Sequence, residues 1–213
     1  MRGASFQFAS AHLYVILGDN GAGKSTLLRV IAGLMQPSQG TVTVLGSRNL
    51  REVADRVGYM GHAPLLYDEL SGMENLRYFA GLYGIHDDAV CRDAMSRVGL
   101  NPELSRRVGQ YSQGMRQRLS LARAVLHDPQ LMLLDEPFSN VDIHSARDMA
   151  AILGRVRDTG KTILVVTHQA ALMEGVADVF LNMTAGQIVS TVTREDMQRQ
   201  KLSAESVALG RSQ

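Results

Sequence analysis

Gly18-Asp19-Asn20-Gly21-Ala22-Gly23-Lys24-Ser25-Thr26 decides the fold. Its spacing, G-x-x-x-x-G-K-[ST], is that of a loop that cradles phosphate. The apolar run Leu13–Leu17 leads into it as a buried strand does. Leu27, Leu28, Ile31, Leu34 and Met35 then recur on one side of a helix. Glycines at 18, 21 and 23 let the backbone wrap closely and aim its N–H groups at phosphate oxygens. The helix starting near Lys24 adds the positive end of its dipole. Lys24 is expected to reach the β- and γ-phosphates of a nucleoside triphosphate, and Ser25 to ligand Mg²⁺. Asn20, Gly21, Ala22, Gly23 and Thr26 complete the candidate binding loop.

Bulk properties narrow the partners. The chain has 213 residues, enough for one sizeable core with a small appended lobe. A formal net charge of +1 gives no reason to expect nucleic acid or an anionic membrane surface as a ligand. Cys91 is the single cysteine, which excludes an internal disulfide and fits a reducing compartment. No apolar run approaches the ~18 residues that a membrane span needs. A leader reading of Arg2 with Ala9-Ser10-Ala11 is rejected, because Gln7, Ser10 and His12 interrupt the apolar stretch.

Outward from the loop, the pattern predicts a short strand around Phe6 and Phe8, where apolar and polar residues alternate. Thr41–Gly46, rich in β-branched residues, predicts another, and Arg56–Met60 a weaker one. The character then changes. Ser71-Gly72-Met73-Glu74 is a capping box, followed by Met73, Leu76, Ala80 and Tyr83 at helical steps. A second helix runs from Asp87 to Val98 and is closed by Gly99. The expected organisation is a core of residues 1–64 and 118–213 with an inserted helical lobe of residues 65–117. A helix carrying Met115, Leu119, Ala122 and Leu126 comes next. Leu131–Leu134 and Thr162–Val166 read as buried parallel strands flanking a helix from Asp142 to Arg157. Val179–Met183 and Gln187–Val192 form a hairpin through Ala185-Gly186, and from Thr193 a polar, helical tail is expected. His86, His127 and His144 read as ordinary surface residues.

Three later stretches give the loop its context. Asp135-Glu136 ends an apolar strand, where open α/β sheets place ligand chemistry. Asp135 is expected to hold Mg²⁺, and Glu136 to polarise an attacking water. Tyr111-Ser112-Gln113-Gly114-Met115 opens the helix that follows, and His168 ends the next apolar strand. With Ser139-Asn140-Val141-Asp142 these motifs stand in the order found in the ATP-binding subunits of ABC transporters, and the chain resembles that family from about residue 4 to residue 192. The resemblance implies a P-loop NTPase core with a mixed sheet and an inserted helical lobe, apparently without the first N-terminal hairpin. It implies ATP hydrolysis with Mg²⁺ in a head-to-tail dimer or with a paired ATPase subunit. Each site then uses Lys24, Ser25, Asp135, Glu136 and His168 of one copy. Ser112 and Gly114 of the other copy cap the γ-phosphate, and Asp142, the last residue of the Ser139-Asn140-Val141-Asp142 loop, joins the nucleotide-binding residues. It further implies an integral-membrane partner that the helical lobe contacts, and a peripheral place on the cytoplasmic face of the inner membrane.

Departures from the family pattern carry information. The signature is Tyr-Ser-Gln-Gly-Met where Leu-Ser-Gly-Gly-Gln is usual, a form similar to that of exporter ATPases. Asp19 stands where Pro is usual. His62 stands where the family has Gln beside the metal and water, so it joins the candidate catalytic residues, its ring able to accept or donate one hydrogen bond to the site water. The run Gly61-His62-Ala63-Pro64 with Glu74-Asn75-Leu76 resembles the heme-exporter ATPase of cytochrome c maturation. Export of a drug or lipid-linked molecule is the alternative, and a nucleotide-binding module that no longer hydrolyses is another. Heme enters only as cargo, since no C-x-x-C-H or heme-binding histidine context is present. Family members carry about twenty-five more residues before the loop, including an aromatic that stacks on adenine. Loss of such a stack costs about 1–3 kcal/mol, so the expectation is a start recorded downstream of the real one or a weakened ATPase. A DNA-repair member is disfavoured by the compact interval between Lys24 and Ser112, and a translation member by the single nucleotide domain.

Overall fold

The computed structural model describes residues 3–197 and residue 199. Six strands form one mixed sheet: β1 (Leu13–Leu17), β2 (Val57–Met60), β3 (Leu131–Asp135), β4 (Thr162–Val166), β5 (Val179–Thr184) and β6 (Gln187–Thr193). Their spatial order is β2-β3-β4-β1-β5-β6. The first five run parallel and β6 returns antiparallel to β5. β1, β3 and β4 are short and apolar because both their faces are covered.

Alternation along the strands sorts the core into two layers. Leu13, Val15, Met132, Leu134, Ile163 and Val165 face the larger layer, with side chains from α4 (Gln113–Val125) and α5 (Ile143–Asp158). Tyr14, Ile16, Leu133, Leu164 and Val166 face the other layer, filled by Leu27, Leu28 and Ile31 of α1 (Lys24–Ile31). Each fully buried Leu of this kind contributes about 1.5–3 kcal/mol relative to exposure.

Between β2 and α4 the chain forms α2 (Gly72–Leu82) and α3 (Asp88–Arg97), and no strand is described there. The Ser71–Glu74 capping box forms, with both reciprocal bonds present. Asp87 caps α3, whose end is turned by Gly99 at φ 72°. Met73, Leu76, Met95 and Leu119 join the same apolar cluster as Leu13 and Val15, so this segment shares its core with one face of the sheet. Asn75, with no exposed surface, closes the loop before α2. Its amide donates to the carbonyls of Tyr67 and Ser71 and its oxygen accepts from the Tyr67 N–H.

Two expected strands do not form. Residues around Phe6 and Phe8 are irregular, and their rings gather edge-on against Tyr14, with Phe8 at 5.0 Å between centroids. Thr41–Gly46 is reduced to one bridge between Val44 and Ser47 around Leu45 and Gly46, which take φ 49° and 84°. A strand needs a ladder partner, and among the described residues neither segment has one beyond that bridge. The hairpin through Ala185-Gly186 forms as expected, with φ of 49° and 83°. Of the expected polar tail, Arg194–Met197 is helical, and the rest, residue 199 apart, lies outside the described residues. His127 is half-buried rather than an ordinary surface residue. Its ring stacks on Tyr83 at 4.0 Å, its Nε2 lies 3.2 Å from the Val57 carbonyl, and burial holds its pKa below the ordinary histidine value. Among the described residues no helix is long and apolar enough to cross a membrane.

Candidate functional site

The loop after β1 is shaped by close approach. A Cβ on Gly18 would stand 2.1 Å from the Met183 carbonyl oxygen, so only glycine lets β1 turn beside β5 here. Gly23, at φ 99°, starts α1 without any side-chain cap, which leaves the first N–H groups of the helix for a ligand. Lys24 is 6% exposed, and its Nζ donates to the carbonyls of Gly18 at 2.6 Å and Asp19 at 3.0 Å. The ammonium is thus folded over its own loop. Asn20 and Gly21 are exposed, Ala22 is buried, and Thr26 is half-buried one step behind Ser25.

β3 delivers the carboxylates. β4 lies between β3 and β1, so Asp135 is carried to the loop across one intervening strand. Ser25 Oγ donates to Asp135 Oδ1 at 3.0 Å, and Asp135 is 2% exposed. Among the described residues no three His, Cys, Asp or Glu side chains gather to hold a metal by themselves. One hydroxyl and one carboxylate suit Mg²⁺, which keeps most of its shell as water and substrate phosphate.

Glu136 follows in a left-handed backbone conformation, φ 53°, with its N–H donating to the Val166 carbonyl. That bond fixes Glu136 to the end of β4, the strand that carries His168. His168 Nε2 stands 3.3 Å from Glu136 Oε1. The approach is poorly directed, and Oε1 is buried without a well-formed hydrogen bond. Burial raises the Glu136 pKa above the usual glutamate value, and the neighbouring His168 opposes this in part. A carboxylate of raised basicity facing a half-open ring suits proton transfer.

The remaining candidates lie apart. Ser112 is the N-cap of α4, its Oγ accepting from the Met115 N–H at 3.2 Å, and it is exposed. Gly114 is buried, near Val141 and Ser145. Asp142 caps α5 through the N–H groups of His144 and Ser145, which hold its carboxyl below the usual aspartate pKa. These bonds are local, and among the described residues none joins Asp142 to the phosphate loop. His62 is exposed two residues beyond β2. Met60 pairs with Leu134, so His62 lies at the same sheet edge as Asp135.

Motif reading missed Gln117 and Gln169, since single amides carry no spacing signal. It also missed Asp178, whose carboxylate accepts from the Leu13 N–H and from Arg157 and also pairs with Arg194.

Residues 1–139 match the family described as ABC transporter. The chain belongs to the ABC transporter family. It is 36% identical over 196 residues to the ABC transporter ATP-binding protein NatA of Bacillus subtilis, covering 89% of this chain and 80% of that protein. It is 33% identical to the bacitracin transport ATP-binding protein BcrA of Enterococcus faecalis, covering 88% of this chain and 62% of that one. A fluoroquinolones export ATP-binding protein of Mycobacterium tuberculosis is 34% identical, with 89% and 64% covered. The chain therefore spans under two thirds of the length of these last two relatives. Among solved structures, the ATP-binding subunit of an ABC transporter matches at TM-score 0.79 and 30% identity over 92% of this chain and 85% of that one. The dimeric ATP-binding cassette MJ0796 bound to ADP and Pi matches in fold, at TM-score 0.81 and 20% identity, with 90% and 89% covered. This ABC subunit binds ATP with Mg²⁺ and belongs to a family whose ATP hydrolysis is coupled to transport.

Proposed function

We propose that this ABC subunit hydrolyses ATP at the edge where Lys24, Ser25, Asp135 and Glu136 converge, and that the hydrolysis drives an exporter in the membrane. The observation that carries the reading is the Ser25–Asp135 bond beside the Glu136–His168 pair, which joins three motifs far apart in the chain. Lys24 exchanges the Gly18 and Asp19 carbonyls for β- and γ-phosphate oxygens. Ser25 and Asp135 would hold Mg²⁺, which when bound would offset negative charge on the phosphates. Glu136 accepts the proton of the attacking water, and His168 holds Glu136 and the γ-phosphate in register. Ser112 and Gly114 serve the nucleotide of a second copy, a homodimer or a paired ATPase subunit, while Asp142 holds the intervening loop through its cap. His62 reaches the site water when the sheet edge closes on nucleotide. The lobe of residues 65–117 meets an integral-membrane subunit on the cytoplasmic face of the plasma membrane, and no nucleic acid takes part.

Two cargo readings remain in play. The Gly61-His62-Ala63-Pro64 run supports heme for cytochrome c maturation, handled by the membrane partner and not bound by this chain. Asn75, from the same comparison, has a structural duty in closing the loop before α2 and carries no cargo information. Two of the relatives named above support the second reading, export of a drug or lipid-linked molecule, because their names concern fluoroquinolones export and bacitracin transport. Steady-state hydrolysis of Mg-ATP by the parent and by Glu136→Gln tests the ATPase. Equal rates would end it. Identification of the co-purifying membrane subunit decides the cargo.

A further inference from the structure

We infer that Gln117 and Gln169 are positioning residues that grip, at two adjacent residues, the turn following Glu136, and so tie the signature helix to the catalytic carboxylate. The inference rests on the role of Glu136 proposed above. The turn is unusual in itself. Glu136 and Asn140 both take left-handed conformations, φ 53° and 57°, and Pro137 contributes no N–H. A non-glycine residue at positive φ is held there only by its surroundings. Within the turn, the Ser139 N–H donates to the Glu136 carbonyl at 3.2 Å, and Phe138 is fully buried beneath it.

The first grip comes from the segment that bears His168. Gln169 Nε2 donates to the Phe138 carbonyl at 3.2 Å. The Gln169 N–H is itself anchored on Thr167 Oγ1 at 3.0 Å, and Thr167 has no exposed surface. The second grip comes from α4. Gln117 is 5% exposed, and its Nε2 reaches the Ser139 carbonyl at 3.5 Å and Ser139 Oγ at 3.4 Å. Its Oε1 is buried without a donor. A buried amide with one unpaired end is costly in a purely structural position, where an apolar side chain would fill the space better. Both bonds to Ser139 are long, at the outer limit of hydrogen-bond length, and a slight advance of α4 toward the turn shortens both.

Gln117 lies five residues after Ser112 on the same helix. A helix moves as a rigid element, so contact at Ser112 with nucleotide on another copy displaces Gln117 with it. The displacement is delivered to Ser139 and through the turn to Glu136. Gln169 ties the Phe138 carbonyl of the turn to the end of β4, so the pull on Ser139 changes the setting of Glu136 and does not merely translate the loop.

The test uses the full chain and two near-isosteric variants. Gln169→Glu puts an acceptor where the Phe138 carbonyl needs a donor, at an exposed position that leaves the core alone. Gln117→Met keeps length and burial, and removes the amide with its unpaired oxygen. Hydrolysis of Mg-ATP and affinity for Mg-ATP are measured for the parent, both variants and the double variant. The expected result is a fall in kcat of about tenfold in each single variant, a modest share of what misplacing a reacting group can cost. Mg-ATP affinity is expected to stay at the parent value. The double variant is expected to fall less than the product of the two, because both act through one turn. Parental kcat in either single variant, or loss of affinity in step with kcat, overturns the clamp. A multiplicative double variant overturns it too. A parent that hydrolyses no faster than Glu136→Gln overturns the ATPase reading and the clamp with it, whereas an active parent with unaffected glutamine variants overturns the clamp alone.

Discussion

α1 and α4 both begin with residues suited to meeting phosphate, and the two beginnings are finished in opposite ways. α1 starts at Gly23 with no side-chain cap, and Lys24 is buried against the carbonyls of Gly18 and Asp19. α4 starts at Ser112, which caps its own helix and faces outward. The first is surrounded by groups of its own chain, with Ser25 and Asp135 already in contact. The second has an exposed serine and a buried glycine, with no part of the phosphate loop bonded to it. On the function proposed above, the difference is that between a site that grips by itself and a surface that completes a grip elsewhere. It supports the assignment of Ser112 and Gly114 to the nucleotide of a second copy.

The comparison breaks most visibly at Glu136. Glu136→Gln is expected to slow hydrolysis by about 100-fold or more, the usual weight of a general base, while Mg-ATP remains bound. Gel filtration of that variant with Mg-ATP should then show a dimer. A monomer in saturating Mg-ATP would argue that α4 completes no site. Lys24→Ala is expected to weaken Mg-ATP binding by about 10- to 100-fold, the size of a charge-assisted contact to phosphate, measured by calorimetry. Ser112→Arg should leave that affinity intact and abolish the ATP-dependent dimer. An equal loss of affinity in both variants would mean that the two helix starts serve one chain.

A pH profile sharpens the same contrast. Burial lifts the Glu136 carboxyl above the ordinary glutamate value of 4.5. The base must be ionised, so the acid limb of kcat is expected above that value and should vanish in Glu136→Gln. The stability consequence has the opposite direction. A carboxyl whose folded pKa is raised favours the fold below its unfolded pKa, and that advantage is lost as pH rises through the folded pKa. Thermal melts near neutral pH should therefore find Glu136→Gln no less stable than the parent. The smallest effect is expected at His62. His62→Gln, which restores the family's usual residue and keeps a group able to hydrogen-bond the site water, should change hydrolysis by no more than about twofold. A larger change would mean that the imidazole does more at the site water than an amide can.

Legibility followed how much of each feature is local. The phosphate loop, the capping box at Ser71 and the apolar strands could be read because spacing and hydropathy encode them within a few residues. Phe6–Phe8 and Thr41–Gly46 have strand-like composition, but a strand is completed by a partner that composition does not name. His127 read as surface because a lone histidine gives no sign of the Tyr83 ring stacked on it. The roles given to Lys24, Asp135 and Glu136 came from motif and resemblance, and the fold adds that their side chains converge. The Gln117–Ser139 contact joins positions 22 residues apart through two unremarkable residue types, and no pattern announces it.

β1 and β3 carry the two halves of the phosphate machinery, yet they are not neighbours, because β4 runs between them. At about 4.8 Å per strand spacing, the two halves hang from rails nearly 10 Å apart. β4 is the gauge block that sets the track width. Its own outlet, Thr167-His168-Gln169, sits in the middle of that span and touches the β3 side through Glu136 and Phe138. A change in β4 thus alters the distance between the jaws and, at the same moment, the position of the residue that stands between them.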